Sequence, residues 1–295
     1  MSRRNKGLVL IMAQCVFAAI FFVLCKLAFN RGVDPLNFSW QVLLAAGGLM
    51  LLAQLFFDPR KLWDFTPRNF GLLILAAFFG GGMAYAFRFL GIRYSSAVNC
   101  SFIGQSSVVF TALLAHFLLK EKLGWQKGTL IMLLLGGCYL VATGGQRLIP
   151  RFGDWFFFGS ALAFSLAVVA AKLGLESIPA LVFTAWRSLL GGLFLGGYLA
   201  GIGKLSLQID WAWVLPVGAV VGLAILTINL ALPLTSASYC TMMSAFIPFF
   251  TILLAYPLLG EKLNWVQMAG GVIIIASGWL CHCNQSEFAD SAPVP

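Results

Sequence analysis

Three basic side chains stand inside or at the edge of long uncharged runs: Arg187, Lys26 and Arg88. A charge held at mid-membrane costs at least about 2.5–3.5 kcal/mol on insertion scales, so it normally faces a cavity or a partner. Arg187 lies well inside its run. It either bonds backbone carbonyls, anchors its helix at the interface, or lines a positive site for a carboxylate or phosphate. Lys26 and Arg88 lie nearer the ends of theirs, where a long side chain can also snorkel to the interface. The neutral polar residues cluster elsewhere. Asn99, Ser101, Gln105, Ser106, Ser107, Thr111 and His116 fall in one apolar stretch, and Asn99 and Ser106 are seven apart, a helical spacing. Amides left unpaired in lipid are costly, which makes Asn99, Gln105, Gln14 and Asn229 candidates for a cavity wall. Ser106, Tyr239, Thr241 and Ser244 join them, although hydroxyls often bond only their own helix. Glu121 and Glu261 end two apolar runs. They suit an N-cap of the following helix or a gate contact to a basic residue.

Other chemistries find little support. The ten acids (Asp34, Asp58, Asp64, Glu121, Asp154, Glu176, Asp210, Glu261, Glu287, Asp290) all fall in loops, tails or helix ends. Proton and sodium carriers generally hold the ion on an intramembrane acid, so a carboxylate-based coupling site is not expected. Cys281-His282-Cys283 resembles a ligand set but has no second pair, and no metal or cofactor is expected. With only His116 and His282 and no paired carboxylates, a membrane enzyme lacks its catalytic set. His116, alone near a helix end, reads as structural. Five of seven cysteines sit in apolar runs and behave as small apolar side chains.

These residues must be positioned by membrane helices. The chain has 295 residues, of which 60% are hydrophobic and 10% charged, against about 25% charged in a soluble domain. Ten spans of about 20 residues use about 200. The rest supplies connections and tails, with no room for a large extramembrane domain. The first span is Gly7–Cys25, read as retained rather than cleaved. The others are 37–57, 70–90, 94–119, 126–146, 155–174, 180–200, 211–232, 236–259 and 265–282. Net charge is +9, but the basic residues are scattered between spans as positive-inside loops require, which excludes nucleic acid. With the N-terminus inside, Arg3, Arg4, Lys6, Arg60, Lys61, Arg68, Lys120, Lys122 and Lys127 are cytoplasmic, against Arg31, Arg88 and Arg93 outside. The second half disagrees, with Lys172 inside against Arg147, Arg151, Lys204 and Lys262. The first half usually dominates, so both termini are expected in the cytoplasm.

Shifting the chain by 140 residues aligns Phe110-Thr-Ala-Leu-Leu-Ala-His-Phe-Leu-Leu-Lys-Glu-Lys-Leu-Gly-Trp125 with Phe250-Thr-Ile-Leu-Leu-Ala-Tyr-Pro-Leu-Leu-Gly-Glu-Lys-Leu-Asn-Trp265, identical at 11 of 16 positions. Near a shift of 146, Trp40-Gln-Val-Leu-Leu44 pairs with Trp186-Arg-Ser-Leu-Leu190, and Lys26-Leu27 with Lys172-Leu173. Shared leucines are expected by chance between apolar helices; a shared Glu-Lys-Leu-x-Trp in phase is not. The chain is a duplication. Five spans per copy put the second copy into the membrane upside down. The fold class is therefore an all-α membrane protein of ten transmembrane helices in two inverted five-helix repeats, 8–146 and 153–284, with a short tail 285–295. That architecture is typical of secondary transporters. The spacings Gly192…Gly196 and Gly218…Gly222 are read as close helix packing.

Tyr94-Ser-Ser-Ala97 followed by Leu-Leu-Lys-Glu121-Lys-Leu, and Thr235-Ser-Ala-Ser238 followed by Leu-Leu-Gly-Glu261-Lys-Leu, resemble the EamA repeat of the drug/metabolite transporter superfamily. The resemblance covers about 8–284. It implies a bacterial inner-membrane carrier, multi-pass with cytoplasmic termini. Its central cavity would be lined by spans 1, 3, 4, 6, 8 and 9. It further implies an exporter or exchanger of small metabolites such as amino acids. The alternatives are a multidrug or toxic-compound efflux carrier, a passive channel and a membrane enzyme. Gln41 stands where the matched position is Arg187, which many members keep in both repeats. The expected partners are a small-molecule substrate and the bilayer, and a homo-dimer is left open.

Overall fold

The computed structural model describes residues 3–63, 66–94, 103–147, 149, 151–259 and 264–284, and these form helices and connections without a strand. In chain order the helices are α1 (Arg3–Asn30), α2 (Pro35–Phe57), α3a (Pro67–Ala76) and α3b (Ala84–Tyr94), α4 (Ser106–Leu118) and α5 (Trp125–Thr143). The second half holds α6 (Asp154–Gly174), α7 (Ala180–Gly201), α8 (Trp211–Ala231), α9a (Ala237–Ser244), α9b (Ile247–Leu259) and α10 (Trp265–Cys283). Nine spans among the described residues are long and apolar enough to cross a membrane, and Ser106–Leu118 is a shorter apolar helix. They fall where the sequence places them.

Local chemistry sets the starts. Asp34 caps α2 by accepting from Asn37 N at 2.9 Å, and Pro35 follows at the first helical position, where its missing N–H costs nothing. Thr66 and Ser236 cap α3a and α9a in the same way. Asn264 and Gln267 form a reciprocal capping box at α10. Gln267 and Asn264 also reach Val141 O and Gly144 O, tying the end of α5 to the start of α10.

Packing repeats with a two-fold pattern. The mates α2 and α7 lie against each other, as do α5 and α10. Helix α1 packs on α8 and α9, and its mate α6 packs on α3 and α4. Equivalent contacts made in both directions are what a two-fold between the halves generates. With an odd number of spans per half, its axis lies in the membrane plane. The glycine pairs act as spacers here. Gly192 and Gly196 sit against Leu44 and Trp40 of α2, and Gly218 and Gly222 against Ala45 and Met50. A methyl at Gly218 would meet Ala45 Cβ at 2.7 Å.

Two helices are interrupted at mid-depth. Between α3a and α3b the backbone widens into a π segment, Ala77–Met83, which carries the triplet Gly80-Gly81-Gly82. Helix α9 breaks at Ala245-Phe246, and Pro248 opens the next piece. The α9 break has a counterpart 141 residues earlier, within one residue of the repeat shift, where Gly104-Gln105 form a turn before α4.

Candidate functional site

Between the halves lies a cavity of about 800 Å³. Its inner end is Gln14 of α1 and Ser244 at the end of α9a, whose hydroxyl lies 3.2 Å from Gln14 Oε1. From there the wall runs past Tyr85 and Arg88 of α3b, Phe157 and Phe164 of α6, and Ile225 of α8. It reaches Lys26, Asn30 and the exposed α1–α2 turn at Gly32 and Asp34. Val141 and Gln267 flank the same end. Both helix breaks border the cavity, through Gly104, Gln105 and Ser107 on one side and Ser244, Ile247 and Pro248 on the other.

Arg187 enters this space from α7 through a slot. A Cβ on Gly80 would collide with Arg187 Nη2 and with Ala167 Cβ, so the π segment leaves room that only glycine leaves. At the next turn Gly81 and Gly191 bring the two backbones together, since a Cβ on Gly81 would lie 2.7 Å from Gly191 Cα. Arg187 is 3% exposed. Its Nε has no hydrogen-bond partner among the described residues. Arg88 has a different setting: its guanidinium lies 5.9, 5.6 and 5.9 Å from the ring centroids of Phe22, Tyr85 and Phe164. Aromatic faces stabilise a cation partly stripped of water.

The opposite end is shut by polar bonds, of which those to Glu121 from Ala237 and Ser238 cross between repeats. Glu121 accepts from Ala237 N at 2.8 Å, Ser238 N at 3.3 Å and Ser238 Oγ at 2.5 Å. Lys127, 1% exposed, lies 3.4 Å from the same carboxylate. Lys172 Nζ donates to Leu232 O at 2.5 Å and Thr235 O at 2.6 Å. Its repeat mate Lys26 lines the cavity near the mouth.

The cavity brings together Gln14, Gln105, Arg187 and Ser244. Ser106, Asn229, Tyr239 and Thr241 stand away from its wall. Asn229 is fully buried and donates from Nδ2 to Thr184 Oγ1 at 2.9 Å, linking α8 to α7. Tyr239 OH pairs with His282 Nδ1 at 2.8 Å. Thr241 bonds carbonyls of its own helix. Ser106 Oγ is buried and has no hydrogen-bond partner among the described residues. Asn99 and Glu261 lie outside the described residues. Glu121 caps a helix, but not the following one. Helix α5 starts at Gly124 without a side-chain cap, and the capped helix is α9a of the other repeat. Lys26 and Arg88 line the cavity rather than only reaching the interface. Gln41, the mate of Arg187, donates to Gln208 O at 2.8 Å and so holds the α7–α8 connection. His116 Nδ1 lies 2.8 Å from Glu121 O, a structural contact at a helix end.

Residue type alone missed the aromatic wall. Phe22 and Phe29, and Phe157 and Phe164, are each seven apart, the spacing of one helix face. In a chain with 27 phenylalanines that signal is drowned. The glycine triplet inside an apolar span was a readable sign of close backbone approach.

The model of the EamA-like transporter family matches residues 5–143 and 151–281. An uncharacterized transporter of Synechocystis is 27% identical over 283 residues, covering 88% of this chain and 80% of that protein. One from Archaeoglobus fulgidus is 26% identical over 295 residues, covering 95% and 98%. A solved crystal structure superposes with a TM-score of 0.79 at 15% identity, covering 96% of this chain and 98% of that one.

Proposed function

The chain belongs to the EamA-like transporter family, and from that premise we propose a secondary carrier that moves small metabolites by alternating access of its two repeats. It is a multi-pass membrane protein and a transporter rather than an enzyme. The finer reading is an exporter or exchanger in the bacterial inner membrane with both termini in the cytoplasm, taking amino acids or related zwitterionic or anionic metabolites rather than cations. One observation carries it. The cavity opens at the α1–α2 turn, while Glu121 of the first repeat bonds Ala237 and Ser238 of the second at the other end. A passive pore would be open at both ends. Rocking of inverted repeats would exchange the shut end and the open one.

With the termini inside, the mouth at the α1–α2 turn faces outward and the captured state is outward-open. The test is counterflow in proteoliposomes: vesicles preloaded with unlabelled metabolite should draw in labelled metabolite transiently above equilibrium. Flux that never saturates and shows no counterflow sinks the carrier in favour of a channel.

A further inference from the structure

Carrier function leaves the substrate's chemistry open, and the wall of the cavity narrows it. We infer that, within the carrier reading, the site takes an organic acid of net negative charge with an aromatic body, in preference to a zwitterion or a cation. Charge comes first. Lys26, Arg88 and Arg187 line the cavity, and Asp34 is the one acid of its wall among the described residues. Asp34 sits at the mouth, where its carboxylate accepts from Asn37 N and Nδ2 at 2.9 and 3.0 Å. Deeper in, an ammonium group would meet only neutral acceptors such as Gln14 Oε1, which already receives Ser244 Oγ.

The two arginines are not equivalent. Arg88 is held against three aromatic rings. Arg187 is buried, its Nε has no partner, and no carboxylate among the described residues pairs with it. A buried charge without a counter-charge is costly, and an acid group on the ligand removes that cost through short charge-assisted bonds. The rest of the wall sets the body of the ligand. Phe21, Phe22, Phe29, Tyr85, Phe157 and Phe164 all line the cavity, and rings prefer other rings at offset or edge contact. A small hydrophilic acid would leave these faces wet. An aryl acid covers them while reaching Arg187.

The test is binding to the purified full chain in detergent, read by thermal shift and calorimetry at pH 7. The probes share a skeleton and differ in charge: phenylacetate, phenylalanine and phenethylamine, with acetate as the ring-free control. Phenylacetate should bind tightest, with phenylalanine roughly tenfold weaker. Phenethylamine and acetate should give no saturable signal. Arg187→Gln should weaken phenylacetate at least about tenfold and erase its preference over phenylalanine. Should that variant not purify as a monodisperse species, the order of the four probes on wild type decides alone. Phenylalanine or phenethylamine binding as tightly as phenylacetate, acetate matching phenylacetate, or no probe binding at all, overturns the inference. Counterflow of whichever probe binds separates the two readings. Binding without counterflow sinks the carrier and spares the site. Counterflow of another metabolite with the predicted probe order absent sinks the site and spares the carrier.

Discussion

Glu121 shows what one residue does here that its own neighbourhood in sequence does not reveal. A carboxylate at the end of an apolar run reads as a cap for the next helix, and the chemistry of that reading is right. The partner is wrong by more than a hundred residues, because the capped N–H groups belong to Ala237 and Ser238. Four contacts converge on it, counting the nearly inaccessible Lys127. Removing one member of a buried ionic cluster leaves the other charge stranded, at a cost of about 3 kcal/mol. Glu121→Ala should therefore lower the thermal stability of the detergent-solubilised protein by about that amount. Glu121→Gln should cost less, since its amide oxygen still accepts from a backbone N–H. Equal melting of both variants and wild type would show that the shut end does not rest on this carboxylate. The wall residues Gln14, Gln105, Arg187 and Ser244 were legible because polar groups stand out against apolar runs. Tyr239 and Asn229 were equally visible but misread. Their partners, His282 and Thr184, are 43 and 45 residues away, although Asn229 Oδ1 has none among the described residues, and residue type alone does not show which polar groups bond inside the protein.

At the scale of elements the spans were legible, since length and apolarity decide them. Their interruptions were not. Gly80-Gly81-Gly82 and Pro248 mark close approach and a candidate stop, but no periodicity in either span marks the change of hydrogen-bond pattern. Bulges of this type recur at functional sites, and here the reason is visible: the widened turn at Gly80 clears the path of Arg187. A side chain at position 80 should act through that arginine. Gly80→Ala should depress counterflow about as strongly as Arg187→Gln. The double variant should be no worse than either alone, because residues in contact lose the same interaction once. The double-mutant cycle in proteoliposomes checks it. Strictly additive losses would mean that Gly80 serves backbone packing and not the guanidinium. Packing of α7 and α8 on α2 through Gly192 and Gly218 was legible as small-residue spacing, although the spacing named no partner.

For the whole molecule, duplication was the strongest signal in the sequence, and an odd number of spans per copy made inversion necessary. Which end is shut was not readable, because both repeats carry the same motif and a two-fold makes both ends equivalent on paper. The asymmetry is a property of the state. In a Cys283→Ser background, Ser244→Cys should react with an impermeant thiol reagent added from the side opposite the N-terminus, and a bound aryl acid should slow it. Ser238→Cys should stay unreactive from that side. Reversed reactivity would overturn the outward-open assignment. Coupling belongs to the same scale. The buried acids Glu121 and Asp154 sit at helix ends, and the cavity's one described acid, Asp34, stands at its mouth. A driving ion taken up at the site would need an anionic holder beside the substrate, and the described wall offers cations instead. Substrate charge then has to be balanced by another substrate moving the other way. We expect exchange, or flow down the substrate's own gradient, rather than obligate proton or sodium symport. The measurement is uptake into substrate-free vesicles under an imposed pH or sodium gradient, compared with vesicles preloaded with the same compound. Preloading should accelerate uptake and the ion gradients should not concentrate the substrate. His116 is the remaining proton carrier by type, and its ring is spent on Glu121 O at the shut end. Strong accumulation under an ion gradient that survives His116→Ala would refute exchange as the energy source.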